Sequence, residues 1–164
     1  MNPIHRILLT TDGSITTIIE AYTQKKVEVE TVEQKVIPAN AEIAKDLKVS
    51  EGEDVNYRVV YLKAGDEIYA KAISYTPLKR LENSFKEDLM RADIPIGKIL
   101  KSHNIEARRE IKWGKVILDQ ELAKEFGVKK PMFLVRNYDI IHKGEILIKI
   151  TEFFPMERFE RSEQ

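Results

Sequence analysis

The stretch Gly144-Glu145-Ile146-Leu147-Ile148-Lys149-Ile150-Thr151-Glu152-Phe153-Phe154-Pro155 decides how this chain is read. Its β-branched and aromatic residues favour a pleated strand. Side chains alternate along a strand, so Ile146, Ile148, Ile150 and Phe154 share one face and Glu152 falls in phase with them. A carboxylate on an apolar face is costly unless something pairs with it. Glu152 therefore reaches water near a sheet edge, answers a buried partner, or is held there for proton chemistry.

Residues 132–141 form a second apolar run, joined to 145–154 by His142-Lys143-Gly144, a hairpin signal. Residues 55–63 and 67–75 flank Ala64-Gly65-Asp66 in the same way. Residues 26–37, closed by Pro38, and 105–117 read as two further strands. Ile15, Ile18, Ile19 and Tyr22 recur at helical spacing, with Asp12 and Ser14 as N-cap candidates. Shorter helices are expected at 41–48 after Asn40, at 80–91 and 96–103 around Asp93-Ile94-Pro95, and from Asp119 to Phe126 before Gly127. The charged tail from Glu157 onward is expected to fray. No internal repeat is visible. Strands joined by short turns pair antiparallel. The fold class is then α+β: a six-stranded antiparallel sheet with helices packed on one face and at the ends, all of 1–164 forming one domain.

Composition narrows the function classes. With 27 basic and 27 acidic residues interspersed, the chain carries no electrostatic footprint for nucleic acid. It has no cysteine, and His5, His103 and His142 lack ligand spacing, so no metal is expected. No apolar run approaches the ~20 residues that span a membrane, and no signal-peptide stretch opens the chain. A cytoplasmic protein with a small-molecule partner is the expectation. Charged residues at 33%, above the usual ~25%, hint at a thermophilic source.

Arg58 is the second marked residue. In Val55-Asn56-Tyr57-Arg58-Val59-Val60-Tyr61-Leu62 it shares a face with Val60 and Leu62. An arginine among apolar neighbours needs a carboxylate, from the protein or from a ligand. Arg58 and Glu152 therefore either pair with each other or address one ligand across a cavity.

Five segments carry a resemblance: Asp12-Gly13-Ser14-Ile15-Thr16, Tyr57-Arg58-Val59, Tyr75-Thr76-Pro77, Ile94-Pro95-Ile96-Gly97 and Thr151-Glu152-Phe153-Phe154-Pro155. In this order the chain resembles the chorismate lyases, most nearly their archaeal-type branch, from about Ile7 to Phe159. The resemblance implies a six-stranded antiparallel sheet enclosing a ligand cavity under helical flaps. It implies conversion of chorismate to 4-hydroxybenzoate and pyruvate without a cofactor. It also implies that Arg58 binds the ring carboxylate, that Glu152 meets the ring hydroxyl, and that the backbone amides of Ile15 and Ile96 touch the carboxylate. Ile15, Ile73, Ile96, Ile148 and Ile150 are the candidate apolar lining.

The pattern departs from the family at one point. The bacterial enzymes carry a second arginine on the strand after Arg58, where this chain has Ile73, with Lys71 two residues earlier as the candidate substitute. The fold is also similar to the effector-binding (UTRA-like) domain of GntR-type regulators, which makes a non-catalytic effector-binding module the alternative.

Overall fold

The computed structural model describes residues 1–91, 94 and 96–160. The expected break at Asp93-Ile94-Pro95 falls mostly outside them. Among the described residues six strands form: β1 (Val27–Pro38), β2 (Asp54–Ala64), β3 (Glu67–Pro77), β4 (Arg108–Leu118), β5 (Met132–His142) and β6 (Glu145–Pro155). They form one sheet in the order β1-β2-β3-β6-β5-β4, with every neighbour antiparallel. The two hairpins turn on Gly65 and Gly144, whose φ values of 63° and 73° lie in the left-handed region glycine tolerates.

Around the sheet lie α1 (Pro3–Thr10), α2 (Ile15–Thr23), α3 (Ala41–Leu47), α4 (Asn83–Met90), α5 (Ile96–Ser102) and α6 (Gln120–Phe126). Local sequence sets most of their ends. Ser14 caps α2, its hydroxyl accepting from the Thr17 amide at 3.2 Å, and Asn40 and Asp119 cap α3 and α6 in the same way. Gly127 stops α6 at φ 70°. Helix α1 is absent from the sequence expectation, although Asn2 as cap and Pro3 at the first helical position are a start signal. None of these helices is long and apolar enough to cross a membrane.

Helices α3 and α6 pack on one face of the sheet, α3 against Val55 and Tyr75, α6 against Phe133, Val135 and Phe153. Helices α1, α2, α4 and α5 pack over the other, against Leu62, Leu134 and Phe154 at one end and Tyr138, Ile148 and Ile150 at the other. The chain end is also part of the core. Met156–Phe159 form a 3-10 turn, and Phe159 is fully buried against Tyr22, Tyr69 and Phe154. The expected fraying from Glu157 is thus corrected for residues up to Glu160, because the Phe159 ring gains more from burial than the short turn costs.

The topology holds a repeat the sequence conceals. The unit β1-α3-β2-β3 is followed by β4-α6-β5-β6, and equivalent residues of the two hairpins are 78 positions apart. Arg58 pairs across its hairpin with Ser74, and Arg136 pairs with Glu152. The β3–β6 contact is centred on the pair Ile73–Thr151, themselves 78 apart, so a local two-fold axis passes between them. Even the irregularities recur. Both edge pairings shift register, between Thr31 and Glu33 and between Ile111 and Trp113, and both hairpins skip one residue near the turn, Tyr69 and Leu147.

The hairpin bulges decide which side chains face inward. Without its bulge, the β2–β3 turn pairing of Ala64 with Glu67 would set Arg58 opposite Ile73; with it, Arg58 meets Ser74. A one-residue slip moves a strand's side chains to the opposite face. Ile73 and Lys71 therefore lie on the face away from Arg58. On β6 the bulge at Leu147 separates Ile146, which packs with the α3 cluster, from Ile148 and Ile150, correcting the expectation that all three share a face with Glu152.

Candidate active site

Arg58 and Glu152 line one cavity of about 410 Å³ between the sheet and helices α2 and α5. Its floor is Arg58, Val60 and Leu62 on β2, Ala72 and Ser74 on β3, Ile150 and Glu152 on β6, and Tyr138 and Ile140 on β5. Ile15 and Ile96, the first residues of α2 and α5, close it from above. Of the expected apolar lining, Ile15, Ile96 and Ile150 are there. Ile148 is fully buried core, and Ile73 lies on the opposite face of the sheet.

Glu152 is not paired with Arg58. Its Oε1 accepts from Arg136 Nε at 2.7 Å and its Oε2 accepts from the Tyr138 hydroxyl at 3.0 Å. Arg136 is fully buried, donates through Nη1 to the Thr11 carbonyl at 2.5 Å and sits 4.7 Å over the Tyr138 ring. The carboxylate that looked misplaced in sequence is thus balanced by a guanidinium and a phenol from the neighbouring strand. Burial first, and the Glu152 charge second, push the Tyr138 hydroxyl well above the ordinary tyrosine range, so it stays a proton donor. Arg58 is also buried and donates through Nη2 to the Ile94 carbonyl at 3.0 Å, which ties β2 to the segment leading into α5.

Sequence reasoning missed Arg136, Tyr138 and Arg109. The first two were signalled: Leu134, Arg136, Tyr138 and Ile140 alternate as the Arg58 strand does, and the hairpin places Arg136 opposite Glu152. Arg109 had no such signal, since Arg108-Arg109-Glu110 reads as solvated edge. It lines the cavity and donates through Nη1 to the Asp12 carbonyl at 3.2 Å. Lys71 does not stand in for a second arginine. It pairs with Glu125 of α6 at 2.9 Å on the other face, beside the Tyr61 hydroxyl, which bonds the same carboxylate.

A family model described as chorismate pyruvate-lyase, Rv2949c-like, matches residues 9–162. The chain belongs to this family. MJ0807 of Methanocaldococcus jannaschii, whose name calls it a lyase only provisionally, is 38% identical over 155 residues, spanning 91% of this chain and 76% of that protein. The effector domain of PhnF from Mycobacterium smegmatis shares the fold with a TM-score of 0.74 at 15% identity, covering 92% of this chain and 93% of that domain. The ligand-binding domain of a Bordetella bronchiseptica protein described as a GntR-family regulator gives 0.66 at 18%, covering 81% and 85%. At such identities these two likenesses speak for the fold alone. The lyase-like family and the regulator domains thus build on one six-stranded scaffold.

Proposed function

We propose that this member of the Rv2949c-like family is a chorismate pyruvate-lyase, forming 4-hydroxybenzoate and pyruvate without a cofactor. The observation that carries the reading is that the Arg58 guanidinium and the Glu152 carboxylate, each buried on its strand, line one partly apolar cavity. A pocket of about 410 Å³ falls within the ordinary range for a small ligand.

In the reaction the ring carbon that bears the hydroxyl loses its hydrogen as a proton, and the carbon–oxygen bond between the adjacent ring carbon and the enolpyruvyl group breaks. The released electron pair completes the aromatic ring. The side arm leaves as enolpyruvate, which takes up a proton and becomes pyruvate. Atoms and charge balance with no co-reactant. Aromatisation supplies driving force, so the protein's task is orientation and charge placement. Arg58 grips the ring carboxylate bidentately, with the Ile15 and Ile96 amides beside it. Glu152, with Arg136 and Tyr138 each using only one lone-pair direction of its oxygens, accepts the hydrogen bond of the ring hydroxyl. Held by Arg136 and Tyr138, Glu152 is positioned to orient the ring hydroxyl.

Purified protein incubated with chorismate should produce the 4-hydroxybenzoate absorbance, and Glu152→Gln should lower kcat by roughly 10²-fold or more, as expected for loss of an oriented polar contact in the transition state. A folded wild-type protein that makes no product rejects the reading. Stoichiometric binding of 4-hydroxybenzoate without turnover would point instead to the effector-binding alternative, with which this chain shares its fold.

A further inference from the structure

We propose that Arg109, flanked by Lys98 and Lys101, forms a second carboxylate subsite, so that the cavity selects a ligand with two carboxylates held apart. The inference rests on the lyase reading for the identity of the ligand, and on geometry for the subsite. Among the described residues, Lys98, Lys101 and Arg109 line the cavity besides Arg58, and the lining carboxylates are Glu20 and Glu152. Both acids are already engaged: Glu20 accepts from the Val27 amide at 2.9 Å, and Glu152 is bound to Arg136 and Tyr138. Three cations gathered beside a partly apolar hollow favour a carboxylate there, in addition to the one proposed at Arg58.

Arg109 is placed for the second. Arg58 stands on β2 and Arg109 on β4, four strand steps apart in the order β2-β3-β6-β5-β4 and so roughly 19 Å across the backbone. Two arginine side chains reaching into the cavity from those strands close most of that distance and leave room for a ring with one side arm. The Arg109 guanidinium is held in place. Its Nη1 donates to the Asp12 carbonyl, and its Nη2 lies where α5 passes over it, 3.6 Å from the position a Cβ on Gly97 would take. Its Nε is buried without a hydrogen-bond partner among the described residues. A buried donor left unmatched is costly and marks a place for an acceptor. The repeat shows that this cation is not required by the scaffold, because Val29, which lines the other half of the cavity, holds the equivalent position on β1: Val29 pairs with Leu62 as Arg109 pairs with Ile140.

Calorimetric titration with two probes tests this. 4-Hydroxybenzoate carries one carboxylate; 3-(carboxymethoxy)-4-hydroxybenzoate adds a second on an ether arm. Wild type should bind the two-carboxylate probe more tightly. Arg109→Gln should weaken that probe by roughly 10- to 100-fold, the worth of a charged hydrogen bond, and leave 4-hydroxybenzoate within about twofold. Lys98→Gln/Lys101→Gln, changed on an exposed helix face, should give a smaller loss for the same probe and a weaker salt dependence, and serves if Arg109→Gln does not fold. Equal losses for both probes, no loss for either, or a wild type that does not distinguish them overturns the proposal. With chorismate, Arg109→Gln should raise KM and spare kcat. Discrimination between the probes without turnover supports the subsite while rejecting the lyase reading; turnover with unchanged KM in Arg109→Gln does the reverse.

Discussion

Replacing Arg136 with methionine would leave the Glu152 carboxylate buried with only the Tyr138 hydroxyl for company. Arg136 is fully buried and makes three contacts: the 2.7 Å bridge to Glu152, the 2.5 Å bond to the Thr11 carbonyl, and the stack on Tyr138. Removing one partner of a buried pair costs about 3–5 kcal/mol, because the other charge stays desolvated. For a chain of this size that corresponds to a fall in Tm of about 6–20 °C, taking roughly 2–4 °C per kcal/mol. Glu152→Gln strands the guanidinium instead and should cost a similar amount. The double variant carries no unmatched charge, since the glutamine oxygen still accepts from Tyr138, and should sit only about 1–3 kcal/mol below wild type. Urea denaturation of all four proteins closes the cycle, and the expected coupling is at least about 3 kcal/mol. Losses that simply add, with unchanged m-values, would refute the view that this pair is one electrostatic unit.

The Tyr138 hydroxyl holds its proton more tightly in the folded chain than in the unfolded one, where it titrates near 10.0. The unfolded state therefore gives up the proton first, and native stability, fully present below about pH 10, declines as pH rises above it. Urea midpoints from pH 9 to 11 should fall more steeply for wild type than for Tyr138→Phe; equal slopes contradict this. Phe159→Ala should cost about 3–5 kcal/mol, since the ring fills the junction of α2, β3 and β6, and a loss below about 1 kcal/mol would mean that the chain end is loose. Lys71→Ala should leave kcat/KM for chorismate unchanged and cost no more than about 1 kcal/mol, because its Glu125 partner is on the far face of the sheet. A tenfold fall in kcat/KM would put Lys71 back in the site.

The strands and their pairing were legible because each apolar run alternates and ends on turn residues. Arg58 and Glu152 stood out for the same reason: a charge in an apolar phase is visible without coordinates. Arg136 was legible by that rule too, but the eye settles on the glutamate whose partner it is. What could not be read was phase across the hairpins. The bulges at Tyr69 and Leu147 leave no mark in composition, yet they turn Ile73 and Ile146 to the other side. Arg109 was hidden because an edge strand with alternating charges resembles solvated surface whether or not a helix lies over it. The repeat was hidden because the two halves keep backbone geometry and few side chains; the arginine pair 58 and 136 survives on the inner strands while Ser74 answers Glu152 and Val60 answers Tyr138.

A receptor with an exact dyad would accept a lopsided guest in two opposite poses, and half the encounters would present the wrong end to the chemistry. Here the scaffold is nearly self-matching about Ile73 and Thr151, so the degeneracy must be lifted by side chains alone. The Glu152 carboxylate and the Tyr138 phenol have as their counterparts only the short neutral hydroxyl of Ser74 and the apolar Val60, so the two ends present different charge and reach to a guest. Directionality in this hollow is thus written into a handful of substitutions on a duplicated frame, and Ser74→Glu is the change that would most nearly restore the ambiguity.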